Sequence, residues 1–283
     1  MSVLRPLSIG ELLDRSFAVY RHQFLVFMTL AAVPALLVFA AQVIIIAMAS
    51  KSVGVAAYGG TPSLLRLAMA TPAVLLACLA LSVAYLFLSA AAHGAAVQAA
   101  SAGVMGEATS VARALGTMKG NTIRAAVVLF VTGLLTALGF ILLIVPGILL
   151  GLRWALVLPS TILERTGVSK SLSRSSFLTE GCRGRIFLIL VLYSVVLYAL
   201  ATVIEMPIVA AMMATTIRNG GASPEFPFWY LAATYGSSVL VSALVTPILL
   251  IALTLQYYDS RIRKEAFDLQ VLMGNATAAA PGI

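Results

Sequence analysis

Six long apolar runs, parted by short polar segments, organise this chain. They cover residues 24–49, 72–99, 123–144, 147–163, 186–213 and 229–256. Crossing a hydrocarbon core takes about 20 apolar residues in a helix, so the pattern predicts six transmembrane spans. The third and fourth runs are joined by almost nothing. In IRAAVVLFVTGLLTALGFILLIVPGILLGLRWALVLPSTILE, residues 123–164, Pro146-Gly147 is the only turn chemistry. The chain is therefore expected to cross the bilayer there and return at once. Five runs contain a proline (Pro34, Pro72, Pro159, Pro207 and Pro247). Each removes a backbone donor that neighbouring groups must compensate.

The polar segments have a pattern of their own. Ser8-x-x-Glu11 is a capping box, and Ile9, Leu12, Leu13, Phe17 and Tyr20 follow at helical spacing. This predicts a helix over 7–22 that lies in the membrane interface and feeds the first span. Stacking the polar segments aligns Leu13-Asp14-Arg15-Ser16 with Val111-Ala112-Arg113-Ala114 and Leu172-Ser173-Arg174-Ser175. Seven residues beyond each arginine come His22, Gly120 and Gly181, and each segment then enters a span. The implied unit is a short amphipathic helix followed by a membrane hairpin, used three times. After the sixth run, Ile262, Ala266, Leu269 and Met273 make one stripe of a helix over 260–273, and 274–283 reads as a disordered small-residue tail. The expected fold is thus an all-α integral membrane protein. It is one polytopic domain over 1–273, a six-span helical bundle with amphipathic cytoplasmic helices.

Composition agrees. Only 10% of the residues are charged and mean hydropathy is +1.05, against about 25% charged in soluble domains. The net charge of +8 bears on topology. Fourteen of the eighteen Lys and Arg residues fall in segments on one side of the six runs, three (Lys51, Arg66, Arg218) fall on the other, and Arg153 lies within a run. Basic segments stay in the cytoplasm, so both termini are expected there. The same residues suit a surface of anionic lipid head groups, and no reader helix or aromatic platform suggests nucleic acid. A protein partner or a second copy of the chain is the other expectation.

Candidate chemistry is sparse. Nucleophile-elbow, zincin and P-loop patterns are missing, and His22 and His93 are not at metal-ligand spacing, so no catalytic, cofactor or metal residue is expected. Arg153 and Glu205 stand at matching depth on consecutive antiparallel spans. Unpaired, each would cost about 2.5–3.5 kcal/mol at the centre of a helix. They are expected to pair structurally, or else to reach separately toward the outer interface. The sharper alternative is a polar site for a transported small molecule or lipid. Arg15, Arg113 and Arg174 are the candidate contacts for lipid phosphate or a partner's acidic surface. His93 and Gln42 read as hydrogen-bonded packing residues, and Asp259 with Arg261 and Arg263 as a solvated cluster.

Four stretches carry a resemblance: RPLSIGELLDRSFAVYRHQF, PGILLGLRWALVLPSTILE, SLSRSSFLTEG and QYYDSRIRKEAFDL. In this order they resemble the glycerophosphoryl diester phosphodiesterase membrane-domain family over nearly the whole chain. Some members of that family carry a catalytic barrel after the membrane region. Here the chain ends soon after the sixth span, so the resemblance implies a stand-alone bacterial inner-membrane protein and supplies no catalytic residue to carry over; with no catalytic motif in the chain, the expectation is a non-enzymatic protein. It would organise lipid or a protein partner at the cytoplasmic face.

Overall fold

The computed structural model describes residues 6–57, 64–218 and 227–266, with side chains for all of these except 45–57 and 64–75. Ten α-helices and no strand occur among the described residues. They are α1 Ile9–His22, α2 Phe24–Ala57, α3 Leu64–Val104, α4 Val111–Gly116, α5 Thr122–Leu142, α6 Ile144–Arg153, α7 Val157–Glu164, α8 Val168–Thr179, α9 Arg183–Arg218 and α10 Phe228–Glu265. With α6 and α7 taken together, six helical stretches are long and apolar enough to cross a membrane. A broad band of exposed large apolar residues, such as Leu25, Leu79, Phe130, Val195, Val203 and Leu240, marks the lipid-facing surface.

The helices form three units, each a short helix followed by a hairpin: α1–α2–α3, α4–α5–α6/α7 and α8–α9–α10. Each short helix rests on the helix that closes the preceding unit: α4 on α3, α8 on α7, and α1 on α10. Adjacent hairpins meet in the same cyclic order, α3 with α5, α6 with α9, and α10 with α2. Helices α3, α7 and α10 touch one another at the centre. The three-unit pattern read from the aligned arginines therefore corresponds to a closed ring.

Equivalent positions do equivalent work in it. One residue past each arginine, Ser16, Ala114 and Ser175 are buried; five past, Tyr20, Met118 and Thr179 are buried. Seven past, Gly120 and Gly181 adopt φ of +82° and +79°, the left-handed region that admits glycine without strain. In the first unit the chain turns instead through Gln23, at φ −118° and ψ 32°.

The core is concentrated at one end, called basal here. Every residue of α10 from Ile251 to Ser260 is buried, because α1, α3, α7, α8 and α9 all pack against this helix. Small residues make the approach possible. A side chain at Gly94 of α3 would meet the Sδ of Met118 at 2.7 Å, and one at Gly103 would meet Val19 at 2.8 Å.

Four expectations need correction. The turn after the third span is Leu143 alone, in extended conformation at φ −165° and ψ 152°. Pro146 sits in the first turn of α6, where no donor is needed. Gly147 serves close packing, since a Cβ there would lie 2.5 Å from the Phe140 ring.

The fourth span is not one helix over 147–163. Pro159 cannot donate to the Ala155 carbonyl, and the ladder tightens just before it, with Ala155 N bonding Leu152 O and Val157 N bonding Trp154 O. That leaves the Arg153 carbonyl without its helical donor, and the hydroxyls of Ser175 and Thr179 on α8 donate to it at 3.1 Å each.

Helix α1 carries the expected capping box, with Glu11 N donating to Ser8 Oγ at 3.2 Å and Ser8 N to Glu11 Oε2 at 2.8 Å. Its buried face, however, is Leu12, Ser16, Val19 and Tyr20. That face is taken up by protein, because α1 runs along the basal half of α10 from Leu7 beside Asp259 to Tyr20 Oη on Leu244 O, 2.9 Å away.

The helix expected over 260–273 is the uninterrupted end of α10. It stops at Glu265 with Ala266 in left-handed conformation, and 267–283 lie outside the described residues.

Candidate functional site

Two arrangements distinguish this molecule: an ionic basal end and a set of cavities within the apolar band. At the basal end, Asp259 is fully buried, not solvated as expected. Its Oδ1 accepts the Leu7 amide at 2.8 Å, and its Oδ2 accepts Arg185 Nη1 and Arg263 Nε at 2.9 Å each. Both arginines also donate to the Leu7 carbonyl, at 2.7 and 3.1 Å. One carboxylate thus fastens the chain entering α1, the foot of α9 and the end of α10.

On another side of α10, Arg174 donates through Nε to Glu164 at 2.8 Å and through Nη2 to Glu265 at 2.8 Å. Tyr257 Oη donates to Glu164 at 2.7 Å, and Arg261 Nε to Glu265 at 3.1 Å. The hydrogen bond to Glu265 first, then that to Glu164, holds the Arg174 guanidinium protonated even more firmly than usual. Such charge-assisted pairs suit a structural clasp, since every guanidinium edge that faces inward already has a carboxylate. Arg174, a candidate lipid or partner contact, thus spends its guanidinium on two carboxylates of the chain itself.

The other candidate arginines differ. Arg15 donates to Val104 O at 3.2 Å, tying α1 to the end of α3. Arg113 is exposed on α4. Arg153 is exposed too, and its Nε donates to Ser176 Oγ at 2.7 Å. Thr179, bonded to the Arg153 carbonyl, precedes the foot of α9 by only four residues. Glu205 lies 22 residues further along α9, about 33 Å at 1.5 Å per residue. The structure therefore does not bring Arg153 and Glu205 together. The span break redirected Arg153 toward α8.

Among the described residues, several cavities lie above the basal end. A cleft of about 790 Å³ opens between α6 and α9, walled by Phe140, Leu190, Val191, Val195 and Tyr198, with Leu152 and Ala155 on the broken helix. A second cavity of about 520 Å³ shares Phe140, Gly151, Ala155 and Leu253 with it and is also lined by His93. A third, of about 210 Å³ between α2, α3 and α10, is polar and again reaches His93. His93, expected as a bonded packing residue, has no hydrogen bond among the described residues and lines both of these cavities.

Sequence reasoning missed the roles of Glu164 and Arg185 and the convergence of Gln42, His93 and Thr246. The signal present was polarity within apolar runs, but partners on different helices are not visible in a linear pattern.

A family model for the membrane domain of glycerophosphoryl diester phosphodiesterase matches residues 126–271, a little over half of the chain. The chain belongs to that family. The match spans the broken fourth span, the Arg174 clasp and the Asp259 cluster, so the resemblance read from PGILLGLRWALVLPSTILE and QYYDSRIRKEAFDL holds. Comparison with curated proteins and with solved structures gives no match. What this membrane-domain family model describes is the membrane part of a phosphodiesterase, and no catalytic role attaches to any residue here through it.

Proposed function

We propose that this chain is a non-enzymatic membrane protein of the bacterial cytoplasmic membrane that organises lipid, seating an acyl chain in the cleft between α6 and α9. The observation that carries the reading is the break in the fourth span. It leaves an apolar cleft of about 790 Å³ inside the lipid-facing band. It also leaves an exposed cationic Arg153 between two residues, Leu152 and Ala155, that line the cleft. An apolar trough open to hydrocarbon is favourable for an acyl chain, and a guanidinium at its rim suits a head-group phosphate. Exposed basic residues on or beside the short helices (Arg113, Lys119, Arg124, Arg165, Lys170 and Arg183) would add attraction to an anionic leaflet, with both termini cytoplasmic.

The test is native mass spectrometry of the full chain extracted in mild detergent. Lipid should stay bound to the wild type and be lost when Val195→Trp fills the cleft from α9. Val195 is 59% exposed, so the change does not disturb the core. Arg153→Gln should weaken the preference for anionic over zwitterionic lipid. Lipid retained equally by Val195→Trp would defeat the proposal. A reporter fused after Ile283 should be active in the cytosol.

A further inference from the structure

The polar cavity between α2, α3 and α10 carries an inference separate from the lipid cleft. Its polar lining is Gln42 from α2, Tyr85 and His93 from α3, and Ser238, Ser242 and Thr246 from α10. The carboxamide oxygen of Gln42 is buried and has no hydrogen-bond partner among the described residues. Two of the walls contain a proline. Pro34 in α2 leaves the Leu30 carbonyl without its helical donor, and Pro247 in α10 does the same to Ala243. Pro34 and Ala243 both line the cavity. The space thus sets the unpartnered Gln42 carboxamide oxygen opposite the α10 hydroxyls, of which Ser238 already donates to Tyr235 O at 3.0 Å and Thr246 pairs with Tyr193 at 3.5 Å, each keeping lone pairs that can accept.

Among the described residues, no Asp, Glu, Lys or Arg lines it. An ionised ligand would sit there without a counter-charge in a medium of low dielectric, which strongly disfavours it. A neutral ligand that both donates and accepts hydrogen bonds meets no such cost. The volume of about 210 Å³ is that of about seven waters at ~30 Å³ each, enough for a small polar molecule and too roomy for a bare ion.

We infer that this chamber is a binding site for a neutral, hydroxyl-rich group, held by the Gln42 carboxamide and by the α10 hydroxyls. The group belongs either to a free polyol or to the uncharged head of a lipid, and two experimental arms separate these sources.

Saturation-transfer NMR on the full chain in detergent, with ribitol as probe and choline as a cationic control of similar size, tests the first source. A photoactivatable diacylglycerol in phosphatidylcholine nanodiscs tests the second, by locating labelled peptides. Gln42→Leu keeps the size of the side chain and removes a buried polar group, so the variant should fold as well as the wild type, which its thermal midpoint checks. It should weaken binding about tenfold, the loss of one buried hydrogen bond. Ser242→Leu, projecting from the facing helix, should do the same. Gln42-dependent ribitol binding assigns the chamber to a free polyol. Gln42-dependent labelling in α2, α3 or α10 without ribitol binding assigns it to a lipid head. Binding of neither probe, binding of either that ignores Gln42→Leu, or choline binding as well as ribitol overturns the inference.

Discussion

Replacing Asp259 by Asn isolates one charge at the point where three chain segments meet. Asn keeps an acceptor for the Leu7 amide, so what is lost is the interaction with Arg185 and Arg263. The two are unequal. The Arg263 side chain is 48% exposed, and its ion pair is worth at most about 1 kcal/mol. The Arg185 side chain is 16% exposed against a fully buried carboxylate, and its Nε is buried without a partner. Removing one member of such a pair leaves an uncompensated buried charge and costs about 3–5 kcal/mol. With some solvent reaching Arg185, the lower end applies. Asp259→Asn is therefore expected to destabilise by about 3 kcal/mol, more than a hundredfold in the unfolding equilibrium. Arg263→Gln should cost no more than about 1 kcal/mol. The assay is reversible unfolding in mixed micelles, followed by the fluorescence of the two tryptophans, Trp154 and Trp229. The double variant Asp259→Asn/Arg185→Gln should cost less than the two single changes summed, by about 1–3 kcal/mol. If Asp259→Asn unfolds within about 0.5 kcal/mol of wild type, or the two changes simply add, then the carboxylate does not clasp α1, α9 and α10.

Other outcomes follow from local geometry. Gly147→Ala should destabilise the α5–α6 hairpin by about 1–3 kcal/mol, because the new methyl meets the Phe140 ring. Gly133→Ala on the same hairpin, with open space around it, should be neutral or gain up to ~1 kcal/mol of helix propensity, as read in the same micelle assay. Gly120→Ala and Gly181→Ala have room for a side chain but need φ near +80°, so each should cost about 1–2 kcal/mol, seen as a lowered thermal midpoint. Gly167→Ala, at φ −73°, should escape that conformational penalty. Tyr257→Phe removes the donor to Glu164 and should cost about 1 kcal/mol, with lipid retention unchanged, since Arg174 still satisfies that carboxylate.

The membrane class, the six crossing segments and the Ser8–Glu11 cap were legible from sequence because each depends on residues close together in the chain. Apolar run length is set against bilayer thickness, and a capping box closes within one turn. The threefold unit was legible as well, since Arg15, Arg113 and Arg174 keep equal distance from the turn that follows. Their chemistry was not. The same aligned position is a clasp at 174, a tie to a carbonyl at 15 and an exposed group at 113, depending on which helix the ring places opposite. Arg153 illustrates the point most clearly. Its depth along an ideal span suggested Glu205, but Pro159 four residues past Ala155 tightened the backbone. That break handed its carbonyl to Ser175 and Thr179 and left its Nε donating to Ser176. What the chain alone determined is where apolar surface must meet lipid, because hydration of a side chain is a local property. Only the tertiary structure decided which charges are buried together, because Asp259 finds Leu7 across 252 residues, and a pairing over that separation exists only once the ring has closed.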